Sequence, residues 1–294
     1  MKQHSLLFVL LAATLWGTTG TASFALQTDL SPFVIGAITM GGGGLILLIF
    51  GGKKSLAIWR DGGVRPWVIA GSVGALIYPL AFYTGMAEAG ISLGNVLALG
   101  LGPLVAALAE WIWDSSAPRG WWWAASTGAL VGIALMSTSQ VTLGEGREGN
   151  LGWGITAAVI AGIAYGGYTY AFSRILKAGH DPVPSAGALF GGASPFLLLI
   201  ALSQGPLVVS SALNAGLLVY LILGPMVIAY IAIGRALRTL TASVVTMVSL
   251  WEPLVASGLA FGLVGERVGL SGALGIALIV MSLILLARGE TTRP

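Results

Sequence analysis

Residues 241–265 read TASVVTMVSLWEPLVASGLAFGLVG, an apolar run long enough to cross a bilayer, with a Glu-Pro pair, Glu252-Pro253, at its middle. An ionised carboxylate in hydrocarbon costs several kcal/mol, so Glu252 is expected to face protein or water rather than lipid. Proline removes a backbone donor and opens the helix around it. At membrane depth that is tolerated where the freed groups find new partners or line a cavity. The tetrapeptide Pro253-Leu254-Val255-Ala256 also stands earlier in the chain as Pro103-Leu104-Val105-Ala106. The separation, 253 − 103 = 150, is about half of the 294 residues. The expected architecture is a duplicated membrane protein whose two halves meet around two proline-interrupted helices.

Composition supports that class. The chain is 56% hydrophobic and 9% charged, with a mean hydropathy of +0.91, whereas a soluble domain carries roughly 25% charged residues. Continuous apolar runs of about 20 residues exclude a transmembrane barrel, which would alternate in segments of about 10. The chain has no cysteine, which removes disulfides and thiol chemistry, and 44 glycines. Small residues four apart let membrane helices approach closely. Gly128/Gly132, Gly162/Gly166, Gly187/Gly191 and Gly258/Gly262 have that spacing.

Ten spans are expected, at 5–26, 33–51, 66–86, 91–112, 120–138, 151–173, 185–203, 213–233, 241–263 and 270–287. The first reads as a span rather than a signal peptide, because it is too long and no small-residue cleavage site follows it. With the N-terminus inside, the inner segments hold 12 of the 14 Lys and Arg, and the outer ones hold only Arg147 and Arg267. The positive-inside rule then places both termini in the cytoplasm. Trp111, Trp113 and Trp121 to Trp123 gather at one inner boundary, as an interfacial belt would.

The polar, Gly-rich stretch 141–150 divides the chain into residues 1–140 and 151–288, with five spans each. Five is odd, so the second half would insert upside down relative to the first. Further pairs repeat the offset: Leu15-Trp16-Gly17 with Ala164-Tyr165-Gly166, and Gly85-x-Ala87 with Gly234-x-Ala236. Pro79 and Pro225 are similarly placed. Inverted internal symmetry with interrupted helices is the pointer to a secondary transporter whose site lies at mid-membrane between the repeats.

These residues resemble a known family. Trp16-Gly17, Tyr83 to Ala87, Gly102-Pro103, Glu252-Pro253, Gly265-Glu266-Arg267 and Gly272-Ala273 are similar to the motifs of the drug/metabolite transporter superfamily in its ten-helix EamA-type form. The likeness covers essentially the whole chain. In the first half, Trp113-Asp114-Ser115-Ser116 stands where the family's Gly-Glu-Arg would. The resemblance implies a carrier that works without ATP. The chain looks most like the YddG-type amino-acid exporter branch, which implies a broad-specificity exporter of aromatic and other neutral amino acids acting by alternating access in the inner (cell) membrane. The alternative is an exporter of drugs or lipophilic cations on the same fold.

Glu252 is the one acidic residue near a span centre. It either binds a substrate ammonium or proton, or ties helices together as a hydrogen-bonded carboxyl. Thr246, Ser249 and Glu252 step by three and would form a polar stripe. Trp16, Tyr78, Tyr83, Tyr165, Tyr168, Tyr230 and Trp251 fall inside spans. They would pack the core or line a pocket that accepts side chains and holds a cation on its ring faces. With Asn95 and the breaks at Gly102-Pro103 and Glu252-Pro253, they form the expected cavity. Glu110 and Glu88 read as solvated boundary residues, and Glu266-Arg267 as a helix-end pair. His4 and His180 read as loop residues.

No Lys or Arg stands in mid-span, which disfavours phosphorylated substrates. No nucleophile–base pair or metal-ligand set accompanies the spans, so an intramembrane enzyme, a metal and a cofactor are not expected. The expected partners are small-molecule amino acids and the lipid bilayer, with no nucleic acid and no ATPase subunit. A monomer is expected.

Overall fold

The computed structural model describes residues 2–26, 30–139, 150–204, 211–259, 262 and 269–291, and among them every regular element is helical. In chain order these are α1 (Lys2–Gly17), α2 (Thr19–Ala25), α3 (Pro32–Arg60), α4 (Arg65–Ala89), α5 (Ile91–Asp114), α6 (Gly120–Ser139), α7 (Leu151–Lys177) and α8 (Pro182–Ser203). Then come α9 (Ala212–Leu221), a π-helical segment (Ile222–Ile228), α10 (Ala229–Ala236), α11 (Ala242–Val248), a 3₁₀ turn (Ser249–Trp251), α12 (Glu252–Leu259) and α13 (Leu270–Thr291). Nine helical stretches among the described residues are long and apolar enough to cross a membrane. The remaining expected span, 120–138, is α6, which lies along α13. Leu7, Ile49, Phe50, Leu199, Leu213 and Met281 stand exposed on the outside of the bundle, which is the surface that lipid tails cover. The protein is an all-helical, multi-pass membrane protein. Residues 141–149 of the expected linker and the pair Glu266-Arg267 lie outside the described residues.

Several ends are fixed by local chemistry. Ser31, Asn150, Ser211 and Thr241 each cap a helix through a side-chain oxygen that accepts from the backbone N–H three residues on. α3 continues past the expected boundary at 51, because Gly52 takes φ 52° and turns a short amphipathic extension back towards α8. There Ser55 Oγ donates to the Pro184 carbonyl at 2.9 Å, and Trp59 Nε1 to that of Ala188 at 3.0 Å.

Helices meet where glycine removes the side chain. A Cβ on Gly44 of α3 would sit 2.6 Å from the Phe190 carbonyl oxygen, and one on Gly187 of α8 2.5 Å from that of Leu47. Backbone is therefore in contact with backbone across α3 and α8. Gly132 of α6 meets the Gly275 carbonyl of α13 in the same way, at 2.8 Å. Gly162 and Gly166 seat α7 on α5. At the fourth expected pair, Gly258 and Gly262 meet nothing within 4 Å among the described residues.

One end of the bundle is tied shut by polar contacts between the first 140 residues and the rest. Asp114 at the end of α5 pairs with Arg174 and, at 3.2 Å, with Lys177 of α7, and accepts a hydrogen bond from Tyr170 at 3.1 Å. Asp61 meets His180 at 3.0 Å, and Lys54 meets Asp181 at 3.5 Å. Thr239 Oγ1 donates to Ser5 at 2.6 Å. Glu110 belongs to the same set, which corrects its expected solvated position. It is only 4% exposed. Its Oε1 accepts from Ser243 N at 3.0 Å and its Oε2 from Ser243 Oγ at 2.5 Å. The free N–H groups opening α11 need acceptors, and a carboxylate from the other half supplies them.

Candidate functional site

The centre of the bundle holds a continuous aromatic cluster drawn from both halves. Tyr78 of α4 lies 5.7 Å, ring centre to ring centre, from both Tyr165 and Tyr168 of α7. Tyr168 Oη and Tyr230 Oη share a 2.6 Å hydrogen bond. Tyr230, on α10, lies 5.4 Å from Trp16 of α1. Phe82 connects Tyr78 to Tyr83, at 5.5 and 5.4 Å. Phe190 of α8 backs Tyr230 at 4.1 Å. Phe82 and Phe190 were not singled out from sequence. A phenylalanine in an apolar span carries no signal that separates wall from core.

Glu252 belongs to this cluster. Its carboxyl is the electrostatic neighbour of Tyr78, Tyr83, Tyr165 and Tyr230. The residue is half-buried and opens α12 immediately after the 3₁₀ turn. Among the described residues its carboxyl has no hydrogen-bond partner. Tyr78 and Tyr83 are half-buried as well, while Tyr165, Tyr168 and Tyr230 are buried. Tyr168, 1% exposed, holds Tyr230 from behind. The arrangement offers a carboxyl without a hydrogen-bond partner among the described residues, beside ring faces and hydroxyls, which suits a cation with an apolar or aromatic body.

The backbone around Glu252 departs from α-helical pitch, and two tryptophans make hydrogen bonds close by. Trp16 Nε1 donates to the Pro225 carbonyl inside the π segment at 2.7 Å. Trp251 Nε1 donates to Thr14 Oγ1 at 3.2 Å. Pro253 sits in the first turn of α12, where a missing N–H costs little. The polar stripe expected from Thr246 and Ser249 is corrected. Thr246 Oγ1 donates to the Ala242 carbonyl at 2.8 Å and Ser249 Oγ to that of Val245 at 2.9 Å. Both hydroxyls are buried against their own helix, a bonding pattern that bends helices. Ser249 also lies against the Tyr165 hydroxyl.

The Gly102-Pro103 site differs from its expected form. α5 runs unbroken from Ile91 to Asp114 with Pro103 inside it. Both residues are buried, and Gly102 lies flat against the Tyr165 ring. Asn95 is half-buried further along α5 and makes no hydrogen bond to a described residue, so it is not joined to the tyrosines.

Two contacts repeat across the halves. A Cβ on Gly17 would meet Val255 Cβ at 2.6 Å and the Glu252 carbonyl at 2.8 Å. One on Gly166 would meet Val105 Cβ at 2.7 Å and the Gly102 carbonyl. The offsets, 166 − 17 = 149 and 252 − 102 = 150, match the spacing of the tetrapeptide.

The model of the EamA-like transporter family matches this chain twice, over residues 3–138 and 152–288. The chain belongs to the EamA-like transporter family. This EamA-like protein is 32% identical over 290 residues to the uncharacterized transporter YwfM of Bacillus subtilis (strain 168), covering 96% of this chain and 93% of that one. A solved crystal structure, 19% identical, superimposes over 100% of both chains with a TM-score of 0.81 and so shares the fold. As an EamA-like protein it is a membrane transporter of the drug/metabolite transporter superfamily, and its central cluster is the candidate substrate site.

Proposed function

We propose that this EamA-like protein exports amino acids, including aromatic and other neutral ones, as the resemblance to the YddG-type branch suggests. Glu252 meets the α-ammonium in a cavity lined by Trp16, Tyr78, Tyr83, Tyr165, Tyr230, Trp251 and Pro253, with Tyr168, Ser249, Gly102 and Pro103 buried behind that wall and Asn95 further along α5. The observation that carries this reading is the Glu252 carboxyl, without a hydrogen-bond partner among the described residues and electrostatically coupled to tyrosines of both halves. Backbone dipoles at the helix ends beside Glu252-Pro253, rather than shaped side chains, would meet the rest of an amino acid, which favours broad specificity.

The two units are residues 1–140 and 151–288, inserted in opposite senses, with both termini in the cytoplasm and the protein in the inner membrane. The repeated Gly17 and Gly166 contacts support the inverted pairing. Basic residues gathered at one end support the orientation. In this reading the ion pairs at that end are the closed inner gate, and substrate leaves by rocking of one unit against the other.

The test is purified protein in liposomes loaded with labelled amino acids across a chemically diverse panel. Efflux above that of protein-free vesicles is the expected result, and rates equal to theirs for every compound would reject the reading. Export of lipophilic cations is the second reading, favoured by the lack of any Lys or Arg in mid-span to meet a carboxylate. The two separate on Glu252→Gln. If that change abolishes binding of cations but spares zwitterions, the second reading stands.

A further inference from the structure

At the gated end a cavity of about 320 Å³ opens between the two halves, lined by Gly63, Val64 and Trp67 on one side and Arg174, Lys177 and Ala178 on the other. Its chemistry is unlike that of the centre. Two cations enter it, and both lean on a single carboxylate, Asp114. Neither is spent on that contact: the Arg174 side chain remains 32% exposed and that of Lys177 43%. The Arg174 guanidinium also lies 5.1 Å from the centre of the Trp67 ring, which holds it flat against the cavity wall.

The surroundings add to the positive surplus. At this end of the bundle the end of α3, the start of α4 and the end of α7 hold Lys53, Lys54, Arg60, Arg65, Arg174 and Lys177, against Asp61, Asp114 and Asp181, six cations to three carboxylates. Two of those carboxylates are occupied away from the cavity's cations. Asp61 accepts from Gly63 N and meets His180, while Asp181 meets Lys54. The depth is also informative. Trp113 packs on Trp67 at 5.6 Å and on Tyr170 at 5.8 Å, yet its side chain is exposed on the outside of the bundle. Exposed indoles beside basic residues mark the level of the lipid headgroups.

We propose that Arg174, Lys177 and Trp67 form a binding site for a phosphate group, separate from the transport site and independent of the amine reading given to it. A planar guanidinium and a mobile ammonium facing one opening suit a phosphate oxygen set. A basic pocket between helices on the cytoplasmic side suits the headgroup of an anionic phospholipid in particular. Phosphate bound there competes with Asp114 for both cations. Occupancy therefore loosens a tie between the two halves, and the site is coupled to the gate.

The experiment measures thermal stability of the full-length protein in detergent, with three titrants: phosphatidylglycerol, phosphatidylcholine and inorganic phosphate. A ligand of the folded state raises the melting temperature by mass action. Phosphatidylglycerol is expected to stabilise and phosphatidylcholine to do so far less, which assigns a headgroup. Stabilisation by inorganic phosphate at lower concentrations than by the lipid assigns a soluble phosphate to the same site. Lys177→Gln, which keeps the Arg174–Asp114 pair, should raise the half-effect concentration about fivefold. Asp114→Asn, which releases both cations, should lower it, an opposite sign that a merely structural ion pair would not give. If Asp114→Asn does not fold, Lys177→Gln decides alone. No stabilisation by either phosphate source, or the same titration with Lys177→Gln, overturns the proposal.

Discussion

The two proline sites, Gly102-Pro103 and Glu252-Pro253, stand 150 residues apart and receive the same contact, a glycine helix pressed onto backbone. Their surroundings differ. Around the first, α4, α5 and α7 are continuous helices despite Pro79 and Pro103. Around the second, each counterpart changes pitch: α1 stops at Gly17, the stretch with Pro225 is π-helical, and a 3₁₀ turn precedes Glu252. Pitch changes leave backbone groups without their usual partners, and such segments gather at functional sites. The surroundings of Pro103 are thus a regular wall drawn from both halves, with Gly102 under the Tyr165 ring, and those of Pro253 present the Glu252 carboxyl. Near-duplicate sequence has been divided between scaffold and site.

The largest test of that division replaces each member of the pair. Glu252→Gln should reduce transport of amine substrates by about thirtyfold or more in proteoliposomes, the scale of losing one side of a desolvated charge contact. Gly102→Ala should act on stability, because its Cβ would enter the Tyr165 ring. The cost is about 1–3 kcal/mol, while preference for ammonium compounds is kept. Equal effects of both changes on substrate charge preference would erase the contrast.

The glycine contacts sharpen it further. Gly166→Ala would push against the Gly102 carbonyl and, at 3.0 Å, against Ala106 N, both in a continuous helix. Gly17→Ala meets the stretch that already departs from regular pitch. Both should lower the melting temperature, Gly166→Ala by more, within the same range of about 1–3 kcal/mol. The reverse order would mean that the irregular surroundings of Pro253 are the stiffer ones.

Trp16→Phe keeps the ring against Tyr230 and deletes the hydrogen bond to the Pro225 carbonyl. The expected loss is about 1 kcal/mol in thermal or denaturant unfolding. An unchanged protein would show that the π segment needs no external donor.

The smallest effect concerns pH at the end tied by ion pairs. The Gly63 N–H, followed by His180, holds the Asp61 carboxyl below its ordinary value of 3.8. A depressed carboxylate contributes stability above the unfolded value and loses it as pH falls through the folded one. Asp61→Asn should therefore flatten a shallow drop in melting temperature below about pH 4, and leave the neutral range nearly unchanged.

Much of this protein was legible before folding was considered. Apolar runs of bilayer length place the helices, because backbone in lipid must satisfy its own hydrogen bonds. The 150-residue echo pointed to two similar halves, and the family model matches the chain twice; Glu252 stood out because a charge in mid-span needs a reason. What the chain could not disclose depended on partners distant in sequence. Glu110 looks like a solvated end residue until Ser243 of the other half supplies an N–H and a hydroxyl for it to accept from. Thr246 and Ser249 look like a wet stripe until their hydroxyls turn onto their own helix. Pro103 and Pro253 look equivalent, yet only tertiary contacts decide that one helix stays regular and the other yields. A proline states which hydrogen bond is missing, and the neighbours that fold against it determine how the backbone answers.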